Sequence, residues 1–261
     1  EESNGDIEKS IEILRKKGIA KATKKMGRVA SEGLISIFEK DNKLSIVEIN
    51  CETDFVAKNE EFIKFIEEVS KIVLMEKRNI KNVNSAEMQN KKSIENNLID
   101  LISKIGEKIT LRRVDSYSDN ETKNFSYVHS AIKKNIGKLG VILSLDTKKP
   151  MNEIQEFGKQ LTMHIAATSP LALDKGDLNQ ELLKKENEII IEELKNSGKD
   201  SKIIDKISIG KLNKFINDNT LLNQDWIMDP KKKVKDILNE VAGSEKIKIK
   251  KFTRFKVGEE V

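Results

Sequence analysis

Covalent or acid-base chemistry needs a reactive side chain beside a proton acceptor, and this sequence holds few candidates. Cys51 is the single cysteine, and His129 and His164 are the only histidines. A thiolate at Cys51 would need a general base close by. Both histidines come from the other half of the chain, so Cys51 reads as a small residue at a strand end. One cysteine cannot form an intramolecular disulfide, and one cysteine with two histidines cannot assemble a zinc cluster of soft ligands. Glu60-Glu61 and Glu67-Glu68 are carboxylate pairs common on helix surfaces, and without a pocket they carry no acid-base signal. A phosphate loop of the form Gly-x4-Gly-Lys-Ser/Thr is absent, because no two of the 13 glycines lie five residues apart. Gly137 and Gly140 lack the spacing of a dinucleotide fingerprint. The reading is therefore of a protein that is not an enzyme and carries no cofactor or metal. By spacing, His164 is a structural residue among Met163, Ile165, Ala166 and Ala167, and His129 lies in a strand pattern without an assigned role.

What remains is a surface. Lys and Arg (48) modestly exceed Asp and Glu (43), giving a net charge of +5 with the two signs interleaved, which is weak ground for nucleic-acid binding. A charged content of 35% with nine Phe, two Tyr and one Trp suits Lys- and Glu-rich helical surfaces around aliphatic cores. No apolar run approaches the ~18 residues of a membrane span, and no signal peptide is evident. The chain reads as soluble and cytoplasmic.

The elements follow from periodicity. Asp6 caps a first short helix carrying Ile7, Ile11 and Leu14, which Gly18 stops, and a second runs from Ile19 to about Lys25. Two helices this short bury little, so a preceding helix is expected, and the start on Glu rather than Met agrees with a trimmed chain. Leu34, Ile35, Ile37 and Phe38, the turn Lys40-Asp41-Asn42-Lys43, and Leu44, Ile46, Val47 and Ile49 predict a β-hairpin. A helix from about Phe55 to Val73 comes next, with Phe62, Ile66 and Val69 on its apolar stripe. Another helix carries Ile94, Leu98, Leu101, Ile102 and Ile105 up to Gly106, and Ile109, Leu111 and Val114 make an alternating strand.

The second half repeats this order. Phe125 to Ser130 and Gly140 to Leu145 read as hairpin strands joined through Lys133 to Leu139. One helix starts after Pro150 with Ile154, Phe157, Leu161 and Ile165, and another holds Val234, Ile237, Leu238 and Val241. An alternating strand, Ile247 to Phe255, closes the pattern. The basic run Lys231-Lys232-Lys233 is expected to open the helix after Pro230. Between these lie Leu183, Ile190 and Leu194, then Ser197-Gly198, then Ile203, Ile207, Leu212 and Phe215, an antiparallel helical hairpin with a narrow, largely self-contained seam. The fold expected is α+β: two related subdomains, each with a small antiparallel sheet and packed helices. The boundaries expected are an N-terminal helical module at 1–27, a first subdomain at 28–116 and a second at 117–261, with the protruding hairpin inserted at about 178–222.

The segment Cys51-Glu52-Thr53-Asp54-Phe55-Val56-Ala57-Lys58-Asn59, preceded by Asn50, resembles the signature of the elongation factor Ts family. The resemblance continues through Leu139-Gly140-Val141, Met163-His164-Ile165-Ala166-Ala167 and Arg254-Phe255-Lys256-Val257-Gly258. Gly5-Asp6-Ile7-Glu8-Lys9 with Leu14-Arg15-Lys16-Lys17-Gly18 is similar to the family's ubiquitin-associated-like module, whose first helix and T-G-A-G-type motif would lie upstream of Glu1 and are not in this sequence. The resemblance implies a guanine nucleotide exchange factor that binds elongation factor Tu, as a heterodimer or higher assembly, and promotes GDP release by disturbing its magnesium and phosphate site. It places Asp54, Phe55, Val56, Leu139, Gly140 and His164 against that partner, with Thr53, Ala57, Lys58 and Asn59 completing the signature. No direct contact with nucleotide, nucleic acid or membrane is expected.

Spacing alone reads two of these differently: Phe55 falls on the stripe of Phe62, Ile66 and Val69 as a core residue, and Asp54 is the N-cap of their helix. If Phe55 and His164 are both interface residues, truncating either should leave the stability of the chain nearly unchanged. An alternative is an RNA- or ribosome-binding protein using the basic strands Lys108 to Arg113 and Lys246 to Lys256, whose affinity would fall steeply with salt; a further one is a scaffold acting through the helical hairpin. Because the chain lacks a phosphate loop, it should bind no GDP and hydrolyse no GTP by itself. Calorimetric titration with GDP checks this, and stoichiometric heat would refute it.

Overall fold

A computed structural model describes residues 7–76, 79, 80, 82–196 and 201–259. The chain divides into two compact units, Glu1–Ser144 with Lys250–Val261, and Leu145–Ile249.

The first unit begins with one helix, α1 (Ile7–Lys25), where the sequence suggests two. Gly18 does not stop it. A side chain there would meet Ser103 Oγ at 3.1 Å and Ile99 at 3.7 Å, so the glycine admits close contact with a later helix. The expected Asp6 cap lies outside the described residues. Strands β1 (Glu32–Lys40) and β2 (Lys43–Cys51) form the expected hairpin. Its two-residue turn puts both Asp41 and Asn42 at positive φ, 51° and 59°, the geometry whose twist matches that of the flanking strands. Next come α2 (Asp54–Ala57) and α3 (Glu60–Met75). The single helix expected from Phe55 is broken because Asn59 takes an extended conformation and caps α3, its Oδ1 accepting from the Glu61 and Phe62 amides at 2.8 and 3.3 Å. Helix α4 (Ile94–Ile105) ends as read, at Gly106 in the left-handed conformation. Strand β3 (Ile109–Tyr117) pairs antiparallel with β2.

Strands β4 (Thr122–His129) and β6 (Leu139–Thr147) lie side by side in one sheet, but the link between them holds a two-residue strand, β5 (Ile136–Gly137), that joins β1 instead. One sheet thus has the order β3-β2-β1-β5. Its central strands are buried almost throughout because both faces are covered, and successive residues of a strand point to opposite faces. Leu34, Val47 and Ile49 pack with Phe62, Ile66, Val69 and Val73. Ile35, Ile37, Leu44 and Ile46 pack with Ile142, Phe255 and Tyr117. Glu48 is fully buried on β2, where Arg113 Nε donates to it at 2.6 Å and Asn50 Nδ2 at 3.0 Å.

In the second unit, α5 (Met151–Thr168) starts after Pro150 as read. Helices α6 (Gln180–Asn196) and α7 (Ser201–Asn219) make the hairpin; its tip, Ser197-Gly198, is outside the described residues. The basic run meets the next helix only through Lys233, its N-cap, and forms none of its turns. It lies in β8 (Asp229–Lys233), which pairs with β7 (Asp225–Trp226), and Lys232 and Lys233 meet Glu240 and Asp225 at 2.8 and 3.1 Å. Helix α8 (Val234–Ala242) begins just after it, and β9 (Ile247–Lys256) continues the sheet order β4-β6-β9. The chain passes between the units within β6 and within β9.

The hairpin seam has two parts. Ile190, Leu194 and Ile204 form an outer cluster with Ile207 and Leu212, whereas Ile216 packs at the base with Ala172 and Leu178. The Asn219 carbonyl accepts from the Leu171 and Ala172 amides at 2.9 and 3.3 Å. The seam is therefore self-contained only in its outer part. A deletion of 185–210 closed by a short linker should unfold cooperatively within a few degrees of the intact chain. Removing 180–219 should lower the melting temperature further, because it strips the base contacts. Calorimetry checks both, and loss of a cooperative transition in the shorter deletion would place the whole hairpin in the core.

Candidate functional site

The backbone ladder of β2 and β3 ends at the pair Cys51 and Ile109, and side chains carry the connection on. The Lys108 amide donates to Glu52 Oε1 at 2.6 Å. One residue further, Thr53 donates twice to the Glu107 carboxylate, from its amide to Oε2 at 3.0 Å and from Oγ1 to Oε1 at 2.7 Å. Lys108 Nζ reaches back to the carbonyls of Met26 and Arg28 at 2.7 and 2.8 Å, and Arg28 pairs with Glu52 at 3.2 Å. The Cys51 thiol donates to the Thr53 carbonyl at 3.2 Å, and burial pushes its pKa up to about 12, away from any nucleophilic form.

Thr53, not Asp54, caps α2, its Oγ1 accepting from the Val56 amide at 3.4 Å. With Thr53 held from below, Val56 and Ala57 turn into the core and Phe55 points outward, 81% exposed. The core reading of Phe55 from its spacing is thus overturned, because the break at Asn59 takes α2 off the axis of α3. Asp54 pairs with Lys58 at 2.8 Å. That hydrogen bond holds the Asp54 carboxyl below its usual range, and the Lys138 charge adds to the effect. Lys58 is raised in turn, first by Asp54 and also by the field of Glu32. Glu32 and Lys138 form their own ion pair. The signature turn therefore shares one electrostatic neighbourhood with the chain around Leu139, although some eighty residues separate them in sequence. Leu139 is half-buried at a hollow of about 330 Å³ lined with Ser31, Glu32, His129, Lys138 and Val257.

Gly140 is a packing position. A Cβ there would lie 2.7 Å from Ile35 Cγ2 and 3.2 Å from Ile46 Cδ1, so its place against the sheet is already filled by the core. His164 has no exposed surface. The Ile227 amide donates to Nδ1 at 3.3 Å, so that nitrogen carries no proton and Nε2–H donates to Gln224 Oε1 at 3.0 Å. The ring stacks on Trp226 with centroids 5.1 Å apart. The sequence holds no signal for Gln224, Trp226 or Glu107, each of which meets its partner only through the fold.

The basic strands of the alternative reading are largely occupied. Arg113 is spent on buried Glu48, Lys251 on Asp115 at 2.6 Å and Arg254 on Glu259 at 2.8 Å. Among the described residues there is no group of three or more His, Cys, Asp or Glu side chains able to hold a metal, and no helix is long and apolar enough to cross a membrane.

The sequence profile of a family described as Elongation factor TS matches residues 52–259. The chain belongs to the elongation factor Ts family. It is 37% identical over 262 residues to the elongation factor Ts of Rickettsia felis, covering 99% of this chain and 84% of that protein. Against the factor of Methylorubrum extorquens strain PA1 the identity is 38% over 261 residues, with 99% and 85% covered, and against that of Gluconobacter oxydans it is 36% over 258 residues, with 99% and 84% covered. Membership of the elongation factor Ts family assigns the chain to translation elongation.

Burial and three anchored contacts make His164 a determinant of stability, contrary to the expectation that its loss would be neutral. His164→Ala should destabilise the chain by about 2–4 kcal/mol, since it leaves a cavity and strands the Gln224 and Ile227 partners. Burial holds the folded-state pKa below the ordinary 6.5, so the unfolded chain takes up the proton first as pH falls. The stability tied to neutral His164 is fully present above pH 6.5 and declines below it. Denaturant melts at pH 7.5 and 5.5 should show this loss in the wild type and a smaller one in His164→Ala; equal pH dependence in both would refute it.

Proposed function

We propose that the chain binds elongation factor Tu and speeds the release of its GDP, with Phe55 as the group that enters the partner. The observation that carries this reading is the exposure of a large aromatic ring on a turn whose cap, Thr53, is held by Glu107 and whose Val56 and Ala57 are buried in the core. Leaving such a ring in water forgoes roughly 1.5–3 kcal/mol that burial in an apolar pocket would return. Asp54, beside it, is a carboxylate kept ionised by Lys58 and available next to a magnesium and phosphate site.

No bond of the nucleotide need change. A protein that binds the nucleotide-free partner more tightly than the GDP form must weaken GDP binding by the same factor, and acceleration follows when both can be bound together on the way. In this reading Leu139 and the Glu32–Lys138 pair extend the contact around Phe55 and Asp54. Val56 and Gly140 support it from behind the surface, and His164 acts in the other unit by holding Trp226 and Ile227 in place.

The test is release of fluorescent GDP from elongation factor Tu with and without this chain. Phe55→Ala should lower the efficiency of catalysed release about thirtyfold, the effect of a hot-spot loss of about 2 kcal/mol. Because the ring is exposed, its melting temperature should move by no more than a degree or two. Normal release by Phe55→Ala would remove Phe55 from the reading, and no acceleration by the wild type would overturn it.

A further inference from the structure

We infer that Glu107 is a positioning residue for exchange: its carboxylate holds the N-terminus of α2 so that Phe55 is presented outward. This rests on the reading of Phe55 as the entering group. Three features of the geometry support it. Glu107 spends both carboxylate oxygens on one residue, Thr53, taking its amide and its hydroxyl. An ionised bidentate acceptor fixes direction as well as distance. Thr53 is in turn the cap of α2, a helix of four residues, far too short to persist by its own backbone bonding. And Glu107 is delivered by the left-handed turn at Gly106 and by the pairing of Ile109 with Cys51, so its own place is set by α4 on one side and by the sheet on the other.

The linkage runs from α4, through Gly106 and Glu107, to Thr53 and then to the ring two residues on. No other side chain holds the Thr53 amide among the described hydrogen bonds. With that grip removed, Val56 and Ala57 still favour the core and the Cys51 thiol still holds the Thr53 carbonyl, but the Thr53 amide and hydroxyl lose their acceptor, the start of the turn loosens, and the exposed ring samples orientations that do not match a preformed pocket. The described hydrogen bonds of the Glu107 side chain go to Thr53 and not to Phe55, so its effect on exchange passes through Thr53.

The experiment uses the full chain and has two arms. In the isolated protein, amide hydrogen exchange at Val56, Ala57, Lys58 and Asn59 should quicken at least about tenfold in Glu107→Ala, while amides of α3 stay unchanged, as expected for a local opening. Glu107→Gln keeps the volume but offers a single acceptor oxygen, so it should fall between Glu107→Ala and the wild type. In GDP release from elongation factor Tu, Glu107→Ala should lose about tenfold in efficiency, as for removal of hydrogen bonds to a charged group. In a Phe55→Ala background the same change should lose less than about twofold, since residues acting through one contact are not additive.

Unchanged amide exchange in both Glu107 variants would overturn the proposal, and so would a tenfold loss that persists in the Phe55→Ala background. If Phe55→Ala alone leaves release normal, the reading of Phe55 falls by itself, and the amide arm still decides whether Glu107 holds the turn.

Discussion

Hydrogen bonding between two strands usually stops where their backbones part. In this protein it does not stop at Cys51 and Ile109, because Glu52 and Glu107 continue it with carboxylates. The chain leaves the sheet with a fixed heading, and the next residues inherit it: a single helical turn, two side chains folded inward and one aromatic ring left in water. A free loop would cost conformational entropy of about 1–2 kcal/mol per residue each time it was ordered against a partner. Ordering it in advance, within the fold, leaves that cost out of the encounter.

The same economy governs the charges. Buried Glu48 needs compensation, since an uncompensated ion in the interior is strongly destabilising. Arg113 supplies it while lying over the Phe255 ring at 4.3 Å and donating to the Lys256 carbonyl at 3.1 Å. One guanidinium thereby joins β2, β3 and β9. In a strand that looks like a basic stripe in one dimension, Lys250, Lys251 and Arg254 are in three dimensions turned toward Asp119, Asp115 and Glu259. This is why the interleaving of signs along the chain tells more than the net charge does.

What is legible in the sequence is periodic. The β1–β2 hairpin is readable because Asp41 and Asn42 are suited to positive φ and the apolar residues on either side recur at strand spacing; α4 is readable because its apolar stripe ends on Gly106. The features that spacing misreads are those decided by something distant. Gly18 has the local chemistry of a helix stop, but contact with Ser103 overrides it. Phe55 falls on the stripe of α3 only if the helix is continuous, and the Asn59 cap breaks it. The apolar neighbours of His164 rightly mark it as structural, but they say nothing of its partners Gln224 and Trp226, some sixty residues on. At the candidate site, the signature segment is visible as a string of residue types, but the Glu107 grip beneath it is not.

The depth of Cys51 has a practical corollary. With the thiol buried and its pKa near 12, only about one molecule in 10⁵ carries a thiolate at neutral pH. Toward maleimides, iodoacetamides or spin labels the native chain behaves as though it had no cysteine. A single cysteine placed on any exposed helix face would be its one reactive thiol, so local motion can be read out site by site, and a pair of them would report a distance within a unit, without first removing the natural residue and disturbing the end of the sheet.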